Sequence, residues 1–135
     1  MISDFNGFTE SSKFRRLNFP DPFGYGEIYK PIFPPRHHTM KAIMDNIPAD
    51  VSKIYVFGSS VRLDSSLHSD LDVFFVGSMT NDEYRKIMRK VPQDEKVDIV
   101  TETEEEFINN IIDGSFLFYR HVYEGGYKIY ERKTQ

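Results

Sequence analysis

The sequence predicts an α/β (α+β) domain built on a small mixed β-sheet of about four strands flanked by helices. Three observations carry that reading. Short β-branched and aromatic runs recur at Lys53–Phe57, Leu71–Val76, Lys96–Val100 and Tyr127–Tyr130. Segments with helical spacing stand between them, two opened by a Thr-x-x-Glu pattern. Residues 1–38 follow neither period and hold five of the seven prolines, so regular structure is expected only from Thr39.

The elements follow in order. Residues 1–38 read as an irregular, aromatic and Pro-rich arm, and residues 39–135 as the folded domain. Thr39 is placed to cap a helix with the apolar face Met40, Ile43, Met44 and Ile47, ended by Pro48. Lys53–Phe57 reads as a strand stopped by Gly58-Ser59-Ser60. Leu71–Val76 is almost continuously apolar, the pattern of a strand covered on both faces. Thr80 with Glu83 makes a capping box for a helix carrying Tyr84, Ile87 and Met88. Pro92 and Gln93-Asp94-Glu95 then turn the chain into Lys96–Val100. Thr101 with Glu104 repeats the capping box. Glu104, Glu105 and Glu106 suit the first turn of the helix that follows. Its expected buried stripe is Phe107, Ile108, Ile111 and Ile112, and Gly114 is its stop. Phe116–Tyr123 reads as another short helix before the last strand.

Charge narrows the function classes. Residues 1–50 carry six basic and six acidic side chains, and residues 51–135 eleven and fifteen, so the net charge of −4 arises in the second part. A broad attraction to polyanions is disfavoured, and an acidic centre that gathers cations is favoured. Without cysteine there is no disulfide, thiolate metal site or Cys nucleophile. No apolar run approaches the roughly 20 residues that cross a bilayer, and the first residues lack a signal-peptide pattern. The expectation is a cytoplasmic protein with no membrane contact.

Three short segments carry the chemistry. Val56-Phe57-Gly58-Ser59-Ser60 runs a strand into a Gly-Ser turn, where backbone can approach a phosphate closely and Ser59 adds a hydroxyl donor. In Ser69-Asp70-Leu71-Asp72, two carboxylates two residues apart on a strand project to one face. Like charges that close repel unless a cation lies between them, and hard oxygen donors suit magnesium. In Val97-Asp98-Ile99-Val100, an Asp interrupts a β-branched run that strand propensity would keep apolar.

Taken together, the segments show one spacing: a hydrophobic strand, Gly58-Ser59, ten residues, Asp70-Leu71-Asp72, and Asp98 on the next strand. This resembles the polymerase-β-like nucleotidyltransferase superfamily, and within it the minimal nucleotidyltransferase (MNT) family. Arg62 and Ser69 stand where such proteins often carry Arg and Ser. Phe116-Leu117 through Glu124-Gly125 to Ile129-Tyr130 looks like their C-terminal segment. The resemblance covers about residues 40–131. It departs from the pattern at Ser60, where many relatives have Arg, and at Leu63, where many have Gly; both changes fall in the phosphate loop.

The resemblance implies the nucleotidyltransferase fold and a Mg2+-dependent, two-metal transfer of a nucleoside monophosphate, AMP from ATP or another NTP, to an acceptor hydroxyl. Asp70, Asp72 and Asp98 are its expected catalytic residues and metal ligands. Gly58, Ser59, Ser60 and Arg62 are its expected nucleotide-binding residues. The resemblance also implies a HEPN-domain partner, with this chain as the antitoxin of a toxin–antitoxin pair. Transfer to a small molecule such as an aminoglycoside, or to RNA, stays open, as does a catalytically degenerate nucleotide- or partner-binding module. A homo-oligomer is compatible with all of these readings.

Other features count for less. His37, His38, His68 and His121 show no helical metal-ligand spacing, which disfavours a zinc site. Arg85-Lys86 and Arg89-Lys90 line one predicted helix, but with Glu83 beside them they read as a solvated face rather than an RNA contact.

Overall fold

The computed structural model describes residues 32–58, 61, 70–113 and 126–132, with residues 111–113 described by backbone alone. A 3-10 turn at Pro34–Arg36 leads into helix α1, His37–Met44. Strand β1 is Lys53–Phe57, β2 Leu71–Val76, helix α2 Asn81–Met88, β3 Val97–Glu102, α3 Glu104–Asp113 and β4 Tyr127–Glu131. The expectations for Phe116–Tyr123, Gly114 and the segment before Ile32 lie outside the described residues.

The four strands form one mixed sheet in the order β3-β2-β1-β4. β1 runs antiparallel to both β2 and β4, while β2 and β3 are parallel. Between β1 and β4 the register shifts at Ile54/Tyr55. Strand alternation would put Tyr127 and Tyr130, three residues apart, on opposite faces. The irregularity lets both pack with the same core cluster.

Two apolar clusters cover the two faces. On one, Leu71, Val73 and Phe75 of β2 meet Ile54 and Val56 of β1, Met40, Ala42 and Ile43 of α1, and Ile87 of α2. On the other, Phe74 and Val76 meet Tyr55 and Phe57, with Phe107 of α3 closing the cluster. Phe107 stacks on Tyr55 with ring centroids 5.4 Å apart and lies 5.2 Å from Phe74. The apolar run of β2, interrupted only at Asp72, is thus the signature of a strand buried from both sides.

Several local expectations are corrected. Thr39 does not cap α1: the helix starts two residues earlier, and the Thr39 side chain is fully buried with its hydroxyl donating to Glu95. Ile32, Arg36 and His37, read from sequence as the end of an irregular arm, are buried. His37 Nε2 donates to the carbonyl of Ile32 at 2.8 Å. Helix α2 begins as expected, with the reciprocal Thr80–Glu83 box in place. The second box moves. β3 runs on through Thr101 and Glu102, and Thr103 and Glu106 make the reciprocal bonds at 3.0 and 3.1 Å. Ile108, expected in the buried stripe, is 38% exposed, and Tyr84 on α2 is also exposed.

Candidate functional site

The strand directions bring the chemistry-bearing residues to one end of the sheet. β1 ends there, at Phe57-Gly58, and the antiparallel β2 begins there, at Asp70 to Asp72. Parallel β3 also begins there and supplies Asp98. In register, Asp72 has Phe57 beside it on β1 and Asp98 beside it on β3. All three lie on the sheet face that carries Phe74, Tyr55 and Phe107.

Exposure is graded across this row. Phe57 is buried, Asp72 half-buried and Asp98 exposed, while Asp70 immediately before β2 is half-buried. Neighbouring strands lie about 5 Å apart, so two carboxylates in register on them repel when both are ionised. A cation between them removes that repulsion.

Gly58 is where the site is most specific. Its φ is +81°, a conformation side-chain-bearing residues rarely adopt. A Cβ on Gly58 would overlap Asp72 Oδ2 and stand 3.1 Å from Asp72 Cγ. The glycine therefore does more than turn the chain: its missing Cβ makes room for the Asp72 carboxylate. After it, Val61 N donates to Gly58 O at 3.3 Å, and Val61 returns to the first core cluster. Sequence reasoning finds Gly58 as a turn but misses its contact with Asp72, which only the β1–β2 register reveals.

Ser59, Ser60 and Arg62 lie outside the described residues. Among the described residues, no group of three or more His, Cys, Asp or Glu side chains is gathered closely enough to hold a metal ion. The structure brings Asp72 and Asp98 side by side, with Asp70 at the same end of the sheet. Among the described residues, no helix is long and apolar enough to cross a membrane.

Residues 39–135 match the family described as polymerase beta, nucleotidyltransferase. A crystal structure of the toxin–antitoxin MntA–HpeT carrying two Asp-to-Glu substitutions is 18% identical, with a TM-score of 0.46. That similarity covers 73% of this chain and 74% of the other. No curated protein matches the chain significantly. The family match spans well over half of the sequence and takes in Gly58, Asp70, Asp72, Asp98 and all four strands. The chain therefore belongs to the polymerase beta nucleotidyltransferase family, and its activity is nucleotidyl transfer.

Proposed function

We propose that this nucleotidyltransferase moves AMP from ATP onto an acceptor hydroxyl, with Asp70, Asp72 and Asp98 as its magnesium ligands. The observation that carries the reading is the pairing of Asp72 with Asp98 on parallel strands, beside a glycine whose missing Cβ makes room for the Asp72 carboxylate. The donors are hard carboxylate oxygens. They suit a small divalent ion that keeps waters and completes its shell with substrate phosphates. When bound, magnesium supplies charge neutralisation at the attacking and leaving oxygens.

The protein groups then divide the work. Asp70 and Asp72, at the start of β2, would hold the magnesium ion to which the triphosphate binds. Asp98, the most exposed of the three, takes the proton of the acceptor hydroxyl. The acceptor oxygen bonds to the α-phosphorus as the bond from that phosphorus to pyrophosphate breaks. Ser59, Ser60 and the backbone after Gly58 hold the phosphates, and Arg62 offsets charge on the leaving pyrophosphate. The acceptor we assign is a hydroxyl on a HEPN-type protein partner, following the sequence resemblance to minimal nucleotidyltransferases.

The test uses the purified full chain with magnesium, α-labelled ATP and a co-expressed partner. Label should move to the partner, and Asp70→Asn with Asp72→Asn should abolish the transfer. Absence of transfer with any of the four nucleotides, together with no nucleotide-induced rise in melting temperature, overturns the reading.

A further inference from the structure

The turn that precedes β3 is fastened to α1 and the 3-10 turn before it by largely buried polar contacts. Glu95 N closes the turn by donating to Pro92 O at 3.1 Å. The Glu95 carboxylate accepts from Thr39 Oγ1, and Arg36 Nη1 stands 3.9 Å from the same Oε1. Thr39 is fully buried, and the side chains of Arg36 and Glu95 are only 10% and 12% exposed. Withdrawing a carboxylate and a guanidinium from water is costly, and apolar residues of similar volume often give equal stability. Stability alone is therefore a weak reason for this cluster, and what it fixes is the better one.

What it fixes lies immediately downstream. Lys96, the next residue, gives its carbonyl to Leu71 N at 3.2 Å, at the head of the β2–β3 ladder. Val97 then pairs with Leu71, and Asp98 with Asp72. Among the described strands β3 has only β2 as a neighbour. Slippage by two residues would keep its side chains on their faces, so alternation alone does not hold its register. Such a slip would set Lys96 or Val100 opposite Asp72 in place of Asp98.

We propose that Glu95 is a positioning residue. Held by Thr39 and Arg36, it fixes the start of β3 and so keeps Asp98 opposite Asp72, and divalent-cation binding depends on that placement. The inference rests on the metal-binding reading of Asp72 and Asp98.

Mn2+ binding to the full chain, followed by the electron paramagnetic resonance of the free ion, tests it without reference to turnover. Glu95→Ala should weaken Mn2+ binding by about tenfold or more, as loss of a group that orients a ligand does. Glu95→Gln, which keeps an acceptor for Thr39, should retain most of the affinity. In an Asp98→Asn background, Glu95→Ala should have no further effect on Mn2+ binding, while their effects on melting temperature still add. Thr39→Val reports the same link should Glu95→Ala fold poorly. A folded Glu95→Ala or Thr39→Val protein that binds Mn2+ as the wild type does overturns the proposal, as does an equal loss in the Asp98→Asn background. A wild-type chain that binds no Mn2+ removes the metal reading itself, and this inference with it.

Discussion

Gly58 leaves β1 with φ at +81° and its Cα against the Asp72 carboxylate, so that any Cβ there would overlap Oδ2. Two costs therefore meet in a Gly58→Ala variant. Holding an L-residue in the left-handed region costs about 1–2 kcal/mol. Relieving the overlap also requires Asp72 to turn away from the position that faces Asp98. The expected outcome is a modest drop in the urea midpoint and a much larger loss of Mn2+ affinity and transfer. Equal proportional losses in stability and binding would mean that the glycine serves the turn alone.

Removing charge from the Asp72–Asp98 pair should separate stability from function. The two lie in register on adjacent strands, where like charges oppose the pairing. Asp98→Asn is therefore expected to abolish magnesium-dependent transfer while leaving the melting temperature unchanged or slightly raised in metal-free buffer. With magnesium present, only the wild type should gain stability, because binding to the folded state alone raises it. Melting curves with and without magnesium check both halves.

Features fixed by neighbours in sequence were readable there, and features fixed by register were not. β1 and β2 stand where the β-branched and aromatic runs put them, and the Thr80–Glu83 box stands where its four-residue pattern does. The stretch Thr101-Glu102-Thr103-Glu104-Glu105-Glu106 holds two overlapping capping boxes. The choice between them is made by β2, whose Phe75 and Val76 pair with Thr101 and Glu102 and keep them in β3. Thr39 reads locally as a helix cap, yet its hydroxyl is taken by Glu95, 56 residues away. Spacing and strand context alone single out Asp70, Asp72 and Asp98 as the candidate site. That Asp72 and Asp98 are direct neighbours follows only from parallel pairing.

The capping boxes give a pH dependence of known sign. Backbone and hydroxyl hydrogen bonds from Thr103 hold the Glu106 carboxyl below the ordinary glutamate value, and the backbone N–H groups of Thr80 and Ala49 do the same for Glu83. A carboxyl depressed in the folded state contributes stability above its unfolded pKa and loses it as pH falls through the folded one. The window therefore opens near the ordinary glutamate pKa of about 4.3 and extends downward. Glu106→Gln should lose less stability than the wild type between pH 5 and pH 3 on the order of one such titration, measured by urea melts. A variant as acid-sensitive as the wild type would remove the box from the acid response.

Phe107 closes the aromatic cluster on the site's own face of the sheet, and it is 3% exposed. Tyr55, Phe57, Phe74 and Val76 already lie on that face through the strands. Phe107 thus supplies the α3 side of the contact, through a stacked ring on Tyr55 and a tilted one on Phe74. Truncation leaves a cavity that flat strand-borne rings fill poorly, so Phe107→Ala should cost about 3–5 kcal/mol in urea unfolding. Phe107→Leu keeps most of the volume and should cost well under half of that. The placement of Asp72 and Asp98 comes from the β1-β2-β3 ladder rather than from α3. Whatever fraction of Phe107→Ala stays folded at low temperature should therefore bind Mn2+ with near wild-type affinity. A large affinity loss in that folded fraction would show that α3 shapes the metal end of the sheet directly.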